Sequence, residues 1–119
     1  DDAEPAADAE GAASASGSRW PVLVENACHV PGNTAEKARI EAAGGSVTQG
    51  PEGGPPRLDG RLVLSRALGD FELKGRDDLP AREQRLSCEP DVHEVAGLRP
   101  GAFCILGCRG LWDVMPPSS

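Results

Sequence analysis

Two apolar runs, each leading into a glycine-bearing turn, most narrow what this chain can fold into. The first is LVL at 62–64, which turns polar at Ser65-Arg66 and closes on Gly69-Asp70-Phe71. The second is AFCIL at 102–106, which ends on Gly107-Cys108-Arg109-Gly110. A run without polar alternation suits a strand buried on both faces, so 102–106 predicts a buried strand and 62–64 a shorter one. The turn just past such a strand projects from the sheet edge, where open sheets place their chemistry. In this chain that turn carries Arg109.

Those runs have little company. Only 39% of the 119 residues are apolar and 3% aromatic, with no Tyr, while 15 Gly and 11 Pro point to extensive turn and loop. The length suits one domain, and small domains bury a smaller share of their surface. The net charge of −7 is uneven, because Asp1, Asp2, Glu4, Asp8 and Glu10 fall in residues 1–18 without one base. A near-neutral body with an acidic tail argues against nucleic-acid binding, which needs a basic face. No apolar run has the length of a membrane span, and no signal peptide is visible. The chain starts at Asp1, which leaves targeting open, and oligomeric state is equally open.

Residues 1–18, low in complexity and rich in Ala, Ser and acids, predict a disordered tail. Residues 20–25, WPVLVE, predict a short strand and 26–33 a turn. The clearest helix follows, with Asn33 as N-cap, Glu36 completing a capping-box-like pair, and Gly44-Gly45 as its stop. Ala35, Ala38 and Ala42 give it a small face, broadened by Ile40 and Ala43, and Glu36 stands at i, i+3 from Arg39. Residues 46–60 hold repeated Gly and Pro and predict a long flexible loop. Residues 92–95 predict another strand. The two prolines after Met115 block any helix beyond Trp112-Asp113.

Four cysteines admit a disulfide set, a metal set or plain reduced thiols. Cys104 sits inside the apolar run as a small hydrophobe. Cys28-His29 offers two zinc ligands that nothing nearby completes. His29 and His93 are isolated, without the nucleophile pattern of a triad.

Several motifs together are more specific than any one of them. SRALGD at 65–70, EKARIEAAGG at 36–45, LSCEPDV at 86–92 and CRGLWDVM at 108–115 resemble, in order and spacing, the metal-dependent protein phosphatases of type 2C. The similarity runs over about residues 20–115, with 19–119 read as a partial phosphatase domain. It implies an α+β fold, part of a two-sheet antiparallel β-sandwich flanked by helices in αββα layers, incomplete in this chain. It implies metal-dependent hydrolysis of phosphoserine and phosphothreonine on a phosphoprotein substrate inside the cell. Two Mg²⁺ or Mn²⁺ ions would activate a bridging water, and such hard cations take oxygen ligands.

The same resemblance exposes departures. The chain contains no D-G-H-G-G stretch and no late D-N aspartate, which carry ligands in the family. Arg109 and Cys28 occupy positions that are Asp there. A guanidinium has no acceptor and repels a cation, and a thiol prefers softer metals. Asp113 is the one metal-ligand candidate, and no residue qualifies as catalytic. The resemblance implies a mobile flap with a short hairpin at 46–60, and Ser65, Arg66, Gly69 and Asp70 are implied to order that flap and the sheet edge as scaffold. The expectation is therefore a partial phosphatase domain that is inactive as it stands. The alternatives are a non-catalytic pseudophosphatase serving as a binding or regulatory module, and a small zinc or redox protein.

Overall fold

The computed structural model describes residues 20–117; the acidic tail over 1–18 lies outside them. Chain contacts separate two compact units, Val24–Cys104 and a second drawn from Asp1–Leu23 and Ile105–Ser119.

In the larger unit, helix α1 spans Thr34–Ala42. Asn33 is its N-cap by position, but its side chain makes no capping bond and instead donates to the Cys28 carbonyl at 2.6 Å. The capping box therefore does not form, and Glu36 is turned into the interior. The C-terminus behaves as the glycine pair predicts. Gly44 has φ +84°, Gly44 N–H donates to Glu41 O at 3.0 Å and Gly45 N–H to Ile40 O at 2.9 Å. That pair of bonds is a Schellman stop, which satisfies the last carbonyls. The alanine face is corrected: Ala35, Ala38 and Ala42 are exposed, while Glu36, Ile40 and Ala43 are buried.

The Gly- and Pro-rich stretch after α1 is a hairpin and not simply a flexible loop. Strand β1 (Val47–Thr48) pairs antiparallel with β2 (Arg57–Leu58), with Val47 opposite Leu58 and Thr48 opposite Arg57. Between them Gln49 Nε2 donates to Gly54 O at 2.6 Å. A side chain on Gly50 would collide with the Pro55 carbonyl, so the loop closes only because glycine stands there. Beyond β2, Asp59 (φ 48°) and Gly60 (φ 70°) reverse the chain onto Leu62, the Asp-Gly pair suiting two successive left-handed positions.

Ile40, Leu58, Leu73 and Leu86 form the core of this unit, with Val47, Leu62 and Ala67 packed against it. Helix, hairpin, the 3-10 turn Phe71–Lys74 and the strip around Leu86 each contribute one buried aliphatic side chain. Buried Gln84 staples the polar connection over 71–85, donating to Arg76 O (2.6 Å) and Leu79 O (2.9 Å) and accepting from Arg76 N–H (3.1 Å).

The described residues are thus α+β, with a single two-stranded sheet. The two-layer sandwich is not formed by them. The run at 102–106, expected as a strand buried on both faces, has no strand pairing, and Phe103, Ile105 and Leu106 are exposed, Leu106 by 94%. Cys104 is likewise exposed. Residues 20–25 and 92–95 form no strands, and of 62–64 only Leu62 makes a bridge. Apolar runs carry the propensity for strands, but a strand exists only where a partner edge completes its hydrogen bonds.

In the smaller unit, helix α2 spans Arg109–Trp112 and ends at Asp113, well before Pro116. Trp112 Nε1 folds back to donate to Gly107 O at 2.7 Å. Among the described residues no helix is long and apolar enough to cross a membrane.

Candidate functional site

The most highly organised group of side chains centres on Glu36, which the first turn of α1 carries into the interior with 3% of its surface exposed. Its Oε2 accepts from Ser65 Oγ at 2.5 Å and Arg39 Nη1 at 2.7 Å, and its Oε1 from Arg66 Nη2 at 2.6 Å. Burial alone pushes this carboxyl up. The bonds from Arg66, Ser65 and Arg39 outweigh it and bring the group from 4.5 down to about 2. Arg66 is raised in turn, chiefly by its bond to Glu36.

Both arginines reach further. Arg39 Nη2 donates to Ser65 O at 2.8 Å and its Nε to Gln84 O at 3.1 Å. Arg66 Nη1 donates to Glu89 O at 2.9 Å and approaches Asp91 Oδ1 at 3.4 Å, while Asp91 Oδ2 lies 2.8 Å from His29 Nε2. The backbone repeats the linkage. Arg66 bridges Ser87 in parallel, Ala67 N–H donates to Ser87 O at 2.9 Å, and Ser65 N–H to His29 O at 3.2 Å. One carboxylate and two guanidiniums therefore tie α1, the SRALGD turn, the CEPD segment and the strip at His29 into one network. Charge-assisted bonds of this kind fix geometry when every member is satisfied.

The sequence-expected residues divide across this picture. Ser65 and Arg66 belong to the node. Gly69 (φ 71°) and Asp70 (φ 54°) turn the chain into Phe71–Lys74, with Leu73 N–H donating to Asp70 O at 3.1 Å. Asp70 itself is exposed. Cys28 is a free, exposed thiol. His29 is corrected: it is not isolated but pairs with Asp91. Sequence reasoning found Glu36 beside Arg39 but missed Ser65, Arg66 and Asp91 as its network, and the signal available was the occurrence of EKAR, SRA and EPD in one chain.

In the smaller unit Arg109 Nε lies 3.2 Å from Asp113 Oδ2, an exposed i, i+4 pair. Among the described residues no three His, Cys, Asp or Glu side chains are grouped to hold a metal ion. Glu36 is held by two arginines and Asp113, the expected ligand candidate, by Arg109. These donors do not fit a centre of two hard cations.

Comparison with known proteins follows the same segments. The family described as Protein phosphatase 2C matches residues 26–119. Protein phosphatase 1B of Mus musculus is 44% identical over 87 residues, 73% of this chain and 21% of its own length. Protein phosphatase 2C homolog 2 of Aspergillus fumigatus is 43% identical over 93 residues, 76% of this chain and 20% of its own. A solved phosphatase from a pathogenic strain of Toxoplasma gondii is 46% identical over 53% of this chain and 18% of its own, with TM-score 0.49. The chain spans about a fifth of the length of the curated relatives it matches. On the match that covers residues 26–119, this chain belongs to the protein phosphatase 2C family.

Proposed function

We propose that this chain is the flap-side portion of a type 2C serine/threonine phosphatase domain, whose full form hydrolyses phosphoserine and phosphothreonine on protein substrates with two Mg²⁺ or Mn²⁺ ions, and that residues 20–117 by themselves do not perform the hydrolysis. The observation that carries this is the Glu36 node, because three of the four motifs that resemble the family meet there: EKAR and SRALGD at the buried carboxylate itself, and CEPD through Arg66. In this reading Ser65 and Arg66 position the flap by locking the SRALGD turn to α1, and Gly69 and Asp70 shape its exit. A two-sheet sandwich would then provide the strand edges that the run at 102–106 lacks here.

The pairing of Arg109 with Asp113 favours a second reading, a pseudophosphatase that keeps the scaffold and serves as a binding or regulatory module. One experiment separates the two. The matched segment is transplanted into Protein phosphatase 1B in place of its counterpart, with Arg109 and with Arg109→Asp, and both chimeras are assayed on a phosphopeptide with Mn²⁺. The first reading expects the Arg109 chimera to be silent and Arg109→Asp to turn over. Silence from both, in folded proteins, favours the binding module. Turnover by the isolated chain itself would overthrow the proposal.

A further inference from the structure

Several acids among the described residues are met by arginines, in both units. Glu36 takes Arg39 and Arg66, Asp59 takes Arg85 at 2.7 Å, and Asp113 takes Arg109 at 3.2 Å. For Glu36 and Asp59 the partner lies wholly or partly elsewhere in the chain and the contact is short. For Asp113 it lies one helical turn back, in a stretch that offers no second acid within the turn. We infer that Arg109 is the standing counter-cation of Asp113, so that Mg²⁺ and Mn²⁺ are disfavoured at the CRGLWD turn by a competing occupant and not merely by a shortage of ligands. The inference rests on the family reading for the choice of metals, and on the Arg109–Asp113 geometry for the rest.

The physical basis is competition for one carboxylate. A guanidinium at i, i+4 is tethered, so it loses little entropy in returning to the acid each time a hydrated ion approaches. Its charge also repels the incoming cation, and Mg²⁺ in particular sheds water reluctantly. Both groups are more than half exposed, so solvent screens the contact and the effect is modest. An exposed pair of this kind shifts a competing equilibrium by up to about fivefold.

The test is a Mn²⁺ titration of the full chain followed by paramagnetic broadening of the Trp112 indole and Val114 amide signals. Wild type and Arg109→Lys should need about fivefold more Mn²⁺ for half-broadening than Arg109→Ala. Adding Asp113→Asn to Arg109→Ala should abolish the gain, which places the ion at that carboxylate. Equal half-broadening in wild type and Arg109→Ala overturns the inference, as does Arg109→Lys titrating like Arg109→Ala. Since no catalysis is read, failure here leaves the chimera result, and with it the family-level reading, untouched.

Discussion

A buried carboxylate is tolerated only when its neighbours return what water gave, and Glu36 receives bonds from three side chains. Its carboxyl at about 2, against 4.5 ordinarily, makes it a source of stability with a defined pH window. The folded value is the lower one, so the contribution is fully present above about 4.5 and is lost as pH falls through about 2. Its size is on the order of 3 kcal/mol. Glu36→Gln should therefore lower unfolding free energy at neutral pH by about 3–5 kcal/mol, because it also leaves Arg39 and Arg66 without their acid. It should flatten the decline of stability across that acid window as well. Denaturant titrations of both proteins from neutral pH downward check this, and parallel acid limbs would show that another carboxylate governs them. From sequence, Glu36 was legible as a helix residue beside Arg39. Ser65 and Arg66 lie 29 and 30 residues further on, and no periodicity reports a pairing at that range.

At the scale of elements, α1 was the most legible because its stop is chemically local: two glycines and the bonds they permit. They do different work. Gly44 supplies a left-handed φ of +84°, whereas Gly45 supplies room, since a Cβ there would lie 2.8 Å from Arg85 Cδ and 2.9 Å from Ile40 Cγ2. Gly44→Ala should cost about 1–2 kcal/mol through backbone strain, and Gly45→Ala about 1–3 kcal/mol through crowding of the core edge. Gly75→Ala, with open space around it and an ordinary φ of −89°, should stay within about 0.5 kcal/mol. Thermal melts of the three variants give the order. The hairpin was hidden behind its composition, since Gly and Pro that read as flexibility serve here as closure. The apolar runs misled in the opposite direction. Their residues have strand propensity, but pairing is a property of two segments and cannot be read from one.

At the scale of the whole molecule the decisive quantity is the imbalance, among the described residues, between the cluster of Ile40, Leu58, Leu73 and Leu86 and the apolar surface left outside it. Ile105 and Leu106 are exposed by 58% and 94%, in a run with no strand pairing among the described residues. An exposed apolar run is surface that another chain can cover, so the isolated protein should associate as concentration rises. Placing a charge in that run should oppose association without weakening the fold, because these side chains contribute little to the monomer's interior. The prediction is that Ile105→Lys/Leu106→Lys shifts the species seen by sedimentation velocity toward monomer, while its denaturation midpoint at low concentration stays within about 0.5 kcal/mol of the parent. Leu86→Ala is the contrasting case. It removes one of the four side chains of the core cluster among the described residues and should cost about 2–5 kcal/mol, enough to expose more apolar surface and increase association. A parent chain that stays monomeric over the whole concentration range, with a sharp cooperative melt, would mean that the run at 102–106 is covered from within the chain and that its exposure here is not its state in solution.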